Sequence, residues 1–84
     1  MKELLNQLII ATAKNDYAEE LYKNDPENEE YEKEFDRTYK EAWKIREAMA
    51  NEIVKITKGE IDFKTAFKMT FKPELAYAIN HFSL

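Results

Sequence analysis

Eighty-four residues carry a net charge of −4, with 17 acidic against 13 basic side chains, one glycine and no cysteine. That length allows one domain whose core alone is marginal, the size at which a second subunit commonly adds stability. The lack of cysteine excludes a disulfide framework and a thiolate metal site and suits a reducing cytoplasm. The longest apolar run, 8–13 with Thr12 inside it, is far short of the ~20 residues a membrane span requires. The sequence therefore predicts a cytoplasmic chain without membrane contact, folded as a single domain over 1–84, and a hydrophobic share of 44% argues against disorder.

The first helix is predicted from Lys2 to about Lys23. Leu4, Leu8, Ala11, Ala18 and Tyr22 recur four and three apart, with Asn15 in the one polar slot. A second row, Ile10, Ala13, Tyr17 and Leu21, widens the stripe and predicts a helix covered on more than one side. Asn15 is placed where a buried asparagine can set register or oligomer number.

Asn24-Asp25-Pro26-Glu27 interrupts this pattern. Proline is preset for a first helical position, with Asp25 as its N-cap and Glu27, Glu29 and Glu30 set against the positive end of the new helix dipole. The second helix then carries a long ladder, Tyr31, Phe35, Thr38, Ala42, Ile45, Met49, Ile53 and Ile56, alternating four and three. That spacing holds one face toward a partner over roughly 40 Å at about 1.5 Å per residue. A flanking row of Tyr39, Trp43, Ala50 and Val54 is too wide for one neighbour. The helix is predicted to run to about Lys58, with Gly59 supplying the left-handed cap.

Asp62 reads as the N-cap of a third helix bearing Phe63, Ala66, Phe67, Thr70 and Phe71, with Ile61 stapled onto Ala66. Pro73 breaks that arm and opens a fourth, short segment with Leu75, Ala76, Ile79 and Phe82. Helices of about 21 and 31 residues in an antiparallel hairpin leave on the order of 15 Å of the second one bare, from Met49 to Lys58, and the phenylalanine-rich arm is placed to cover it. The predicted fold is all-α: a two-helix hairpin plus a short C-terminal helical arm broken at Pro73, a three-layer bundle.

Catalysis has little material. Ser83 is the only serine and His81 the only histidine, so a hydroxyl or thiol nucleophile held by a histidine base has almost no material to be built from. One glycine excludes phosphate-binding loops. A Glu-x-x-His metal turn is missing because Ala78 stands three before His81, and Glu19-Glu20 and Glu29-Glu30 are followed by Lys23 and Lys33 instead of a further carboxylate. The sequence predicts no catalytic residue, no cofactor and no metal.

Charge is unevenly distributed. Residues 16–36 hold ten carboxylates against two lysines, a net of −8, and 55–72 hold five lysines against two carboxylates, a net of +3. The acidic row, with Glu27, Glu30 and Glu34 at its centre, reads first as a solvated helix face; its functional alternative is an acidic inhibitor that imitates a phosphate backbone. Lys64, Lys68 and Lys72, four apart, read as a solubilising stripe that could also hold a small anionic ligand, and the negative total argues against nucleic acid as a partner.

The stretch Ile-Thr-Lys-Gly-Glu-Ile-Asp-Phe-Lys-Thr-Ala-Phe-Lys-Met over 56–69 resembles the helix-glycine-helix tails of small phage and mobile-element proteins, and the resemblance implies that origin. From the residues themselves, the expectation is a non-catalytic protein-interaction module. It self-associates as a homo-oligomer or binds a larger protein through the aromatic and apolar face of the second helix, with Tyr39, Trp43, Met49 and Phe67 as anchors.

Overall fold

A computed structural model describes residues 2–72. Among them the regular structure is all helical, in the order α1 (Lys2–Asn24), α2 (Glu29–Ile56) and α3 (Phe63–Met69). The predicted break at Pro73 and the segment bearing Leu75, Ala76, Ile79 and Phe82 lie outside the described residues, as do His81 and Ser83.

α1 and α2 form an antiparallel hairpin. Leu5 and Leu8 near the start of α1 pack with Met49 and Ile53 near the end of α2, Asn15 meets Thr38 at mid-length, and Tyr22 meets Phe35 beside the turn with ring centroids 5.7 Å apart. Every residue of the α2 ladder from Tyr31 to Ile56 is buried or half-buried, and so is the α1 row Leu4, Leu8, Ala11, Asn15, Ala18 and Tyr22. Toward the turn the buried seam is made of small residues, Ala11, Ala18, Thr38 and Ala42. Small side chains let helix backbones approach, so this half of the hairpin is held by proximity more than by large apolar surfaces. The buried Thr38 hydroxyl donates toward Asn15 Oδ1 at 3.1 Å and lies 3.0 Å from the Glu34 and Phe35 carbonyls. Asn15 thus has an intramolecular partner, and its register-setting contact is within the hairpin.

The larger core lies at the other end. Leu5, Leu8, Met49, Ala50, Ile53 and Ala66 form one cluster drawn from all three helices, with Leu4, Ile45, Val54, Ile61, Phe67 and Met69 around it. α3 folds back onto the end of α2, as the length arithmetic predicts, and Ala66 is the residue it buries completely.

Four local expectations need correction. Asp25 does not cap α2. Asp25 to Asn28 forms a β-turn closed by the Asn28 N–H donating to the Asp25 carbonyl at 3.0 Å, with Pro26 at the position where its fixed φ is favoured. Asn28 is the N-cap, its side-chain oxygen accepting from the N–H groups of Glu30 and Tyr31. The left-handed residue that ends α2 is Lys58, at φ 54°, with Gly59 following at φ 84°. Gly59 N–H donates to the Val54 carbonyl at 2.9 Å and Lys58 N–H to the Lys55 carbonyl at 3.2 Å, the paired bonds of a Schellman ending. The α1 row Ile10, Ala13 and Tyr17 faces solvent instead of a second neighbour, because α3 is spent on the end of α2 and leaves that flank of α1 uncovered. Finally, α3 stops at Met69, so Lys72 lies beyond it and does not extend the stripe of Lys64 and Lys68.

The Asp62 N-cap stands as predicted, its carboxylate accepting from Thr65 N–H at 2.8 Å. That bond holds the Asp62 carboxyl below its ordinary pKa. Ile61, next to it, packs against the cluster that contains Ala66, and its N–H donates to the Thr57 hydroxyl at 3.3 Å, tying the α2–α3 turn across its mouth.

Candidate functional site

Trp43 stands one residue from the buried Ala42, on the edge of the packed face, and with 39% of its surface exposed it is shared between core and solvent. Tyr39, one turn earlier on α2, stacks on it with ring centroids 5.7 Å apart. From the other side α3 brings Phe67 to 4.8 Å from Trp43. Phe63 and Phe71, each four residues from Phe67, flank that ring at 5.9 and 5.6 Å. The five rings are continuous, and Tyr39, Trp43, Phe63 and Phe71 are all exposed.

The physical reason lies in α3. A seven-residue helix that seats an alanine against α2 approaches closely, so Phe63, three residues before Ala66, and Phe71, five after it, are carried to the rim of the contact. The expectation that the phenylalanines would roof the bare end of α2 is therefore corrected: Ala66 does that, and Phe63 and Phe71 remain on the surface. Beside Trp43 and Tyr39 lies a hollow of about 450 Å³ completed by Lys40, Lys44 and Glu47.

Arg46 closes the other end of the aromatic row. Its guanidinium lies over the Phe71 ring, 4.2 Å from the centroid, a cation–π contact. Its Nη1 is buried with no hydrogen-bond partner among the described residues. Burial lowers the Arg46 pKa from its usual value, against the opposing pull of Asp16 and Tyr39. Together Arg46 and Phe71 border a second hollow of about 360 Å³ against Leu5, Leu8 and Ile9 of α1.

Of the four anchors predicted from sequence, Tyr39, Trp43 and Phe67 are brought together. Met49 is not among them: it has no exposed surface, because α1 and α3 converge on it, and it serves as the centre of the core. Phe63, Phe71 and Arg46 were not singled out from sequence, although the four-residue spacing of the three phenylalanines was visible there.

The charged rows are placed as follows. Glu27 lies in the turn and Glu30 in the first turn of α2, both exposed. Glu34 is held by Arg37, whose Nε donates to it at 3.1 Å, and this hydrogen bond draws the Glu34 pKa down. Arg37 also reaches Glu41 at 3.2 Å, and Asp36 pairs with Lys40 at 2.9 Å and Glu19 with Lys23 at 2.7 Å. Four carboxylates of the acidic row and its border are thereby matched to cations on their own helices. Lys64 and Lys68 are exposed along α3, and Lys72 is exposed beside Phe71.

Among the described residues no three His, Asp or Glu side chains gather as a metal site, and no helix is long and apolar enough to cross a membrane. Comparison of the chain with protein-family models, with curated proteins and with solved structures finds no match.

Proposed function

We propose that the chain is a non-catalytic helical interaction module, binding protein through the aromatic face that Tyr39 and Trp43 of α2 share with Phe67 of α3. The observation that carries this reading is the exposure of four aromatic side chains, Tyr39, Trp43, Phe63 and Phe71, joined into one row through the half-buried Phe67, on so small a chain. Exposed aromatic surface of that kind is uncommon where nothing covers it, and tryptophan and tyrosine are the side chains that most often dominate a protein contact. The acidic-inhibitor alternative draws less support, since Glu34 and Asp36 already pair with Arg37 and Lys40. In this reading the chain works in the cytoplasm, in keeping with its lack of cysteine, and comes from a phage or mobile element, an origin supported by the likeness over 56–69 alone.

Trp43 is the only tryptophan, so its emission reports on this face directly. In the protein's complexes, with itself or with a larger protein, Trp43 emission shifts to the blue and resists acrylamide quenching. Substituting Tyr39→Ala and Trp43→Ala together abolishes those complexes while far-UV circular dichroism stays helical. Complexes that survive the double substitution refute the reading.

A further inference from the structure

We infer that α2 pairs with α2 of a second copy of this chain, antiparallel about a two-fold axis beside Trp43, with Lys40 of each copy opposite Glu47 of the other. This rests on the reading that the aromatic face is a protein contact and names its occupant. An isologous interface must be complementary to itself when reversed, and that is a strong demand on a helix as highly charged as α2. When two copies of α2 run antiparallel about the midpoint between Trp43 and Lys44, residues equally far on either side of that midpoint meet. Lys40 then meets Glu47 and Glu32 meets Lys55. Over 31–56, the part of α2 that this register pairs, no pairing joins like charges. A partner of unrelated sequence would place no such demand on the order of charges along α2.

The geometry beside Trp43 agrees with that register. Lys40 and Glu47 are seven residues apart, two turns of one face, and both border the hollow formed with Tyr39, Trp43 and Lys44. The two-fold axis sets Trp43 of one copy beside Trp43 of the other and brings Lys44 toward the facing indole, a cation–π arrangement. Lys40 and Glu47 then lie about one turn to either side of the two-fold axis on the facing side of α2, with Trp43 and Lys44 between them. The ion pair of Lys40 with Asp36 has both side chains mostly exposed, so exchanging it for an intermolecular one meets little resistance. The described residues extend 46 × 21 × 17 Å, and their broad flank is large enough for the ~800 Å² per partner of a standard stable contact.

Sedimentation velocity over a concentration series tests this with the full chain, Lys40→Glu, Glu47→Lys, an equimolar mixture of the two, and Trp43→Ala. Positions 40 and 47 are exposed, so both charge variants keep the native circular dichroism. The wild-type chain dimerises, and each charge reversal alone places like charges at both contacts between positions 40 and 47 and weakens the dimer about tenfold or more. The mixture restores opposite charges at both contacts and recovers a dimer; Trp43→Ala abolishes it. A wild-type dimer with no recovery in the mixture overturns this register while leaving the aromatic face as a contact. A wild-type chain that is monomeric at every concentration overturns the second copy as occupant. In that event, Trp43 shielded in the monomer assigns the face to residues 73–84 of the same chain. Trp43 shielded only in complexes with an unlike protein leaves the broader proposal standing.

Discussion

Met49 is the residue on which the three helices depend, and Met49→Ala measures how much. Met49 has no accessible surface and touches a cluster supplied by α1, α2 and α3. The substitution removes three buried non-hydrogen atoms, which at about 0.8 kcal/mol per buried methylene amounts to about 2.4 kcal/mol of lost transfer free energy. A cavity adds to that loss wherever the walls cannot close in. Here two of the walls, Ala50 and Ala66, are single methyl groups with no rotamer to swing into the gap, so closure falls to Leu5, Leu8 and Ile53. The expected loss is about 3–4 kcal/mol, within the measured range for such truncations. A chain of this size has only about 4–12 kcal/mol of net stability, so the melting temperature falls by more than ~10 °C. Urea unfolding followed at the helical circular-dichroism band gives the number. Ile10→Ala serves as the control, since Ile10 is 57% exposed and its truncation changes stability by no more than about 0.5 kcal/mol. A Met49→Ala loss under about 1 kcal/mol, or equal effects at the two positions, would refute the packing argument, because both residues are equally apolar candidates in the sequence.

Two further substitutions examine the seam and the helix ending. Thr38→Val keeps the shape of the side chain but deletes the hydroxyl that meets Asn15 Oδ1; a loss of about 1 kcal/mol is expected in the same unfolding assay, and no loss would show that the bond contributes nothing. Lys58→Gly relieves a lysine held at φ 54°. Relief of about 1–2 kcal/mol of left-handed strain, offset in part by the greater freedom of glycine in the unfolded chain, leaves a net gain of about 0.5–1 kcal/mol; a thermal melt that moves down instead of up contradicts the Schellman ending.

How far these features were legible beforehand follows from their range along the chain. The α2 ladder, the α1 row and the Asp62 cap are periodic or local, and each was readable because helix geometry alone places residues three and four apart on one face. The turn was legible in position but not in detail: Asp25, Pro26 and Asn28 allow either a capped helix start at proline or a β-turn followed by an asparagine cap, and the second satisfies more backbone groups. At the end of α2 the single glycine drew the left-handed assignment, yet the hydrogen bonds to Val54 and Lys55 require Lys58 to enter that region first.

Amino-acid order by itself determined that this chain forms helices, where they begin and end to within a few residues, and that the first two run antiparallel, because each of those outcomes is decided within a turn or two of helix. Only the tertiary structure decided which apolar side chains are covered. Met49, Trp43 and Ile10 are alike in carrying large apolar side chains in helical rows, and they end up fully buried, shared with solvent and mostly exposed. The difference is made by Ala66, whose small side chain draws α3 against the end of α2, so that one helix too short to cover everything closes the core over Met49 and leaves the aromatic row open at its edge.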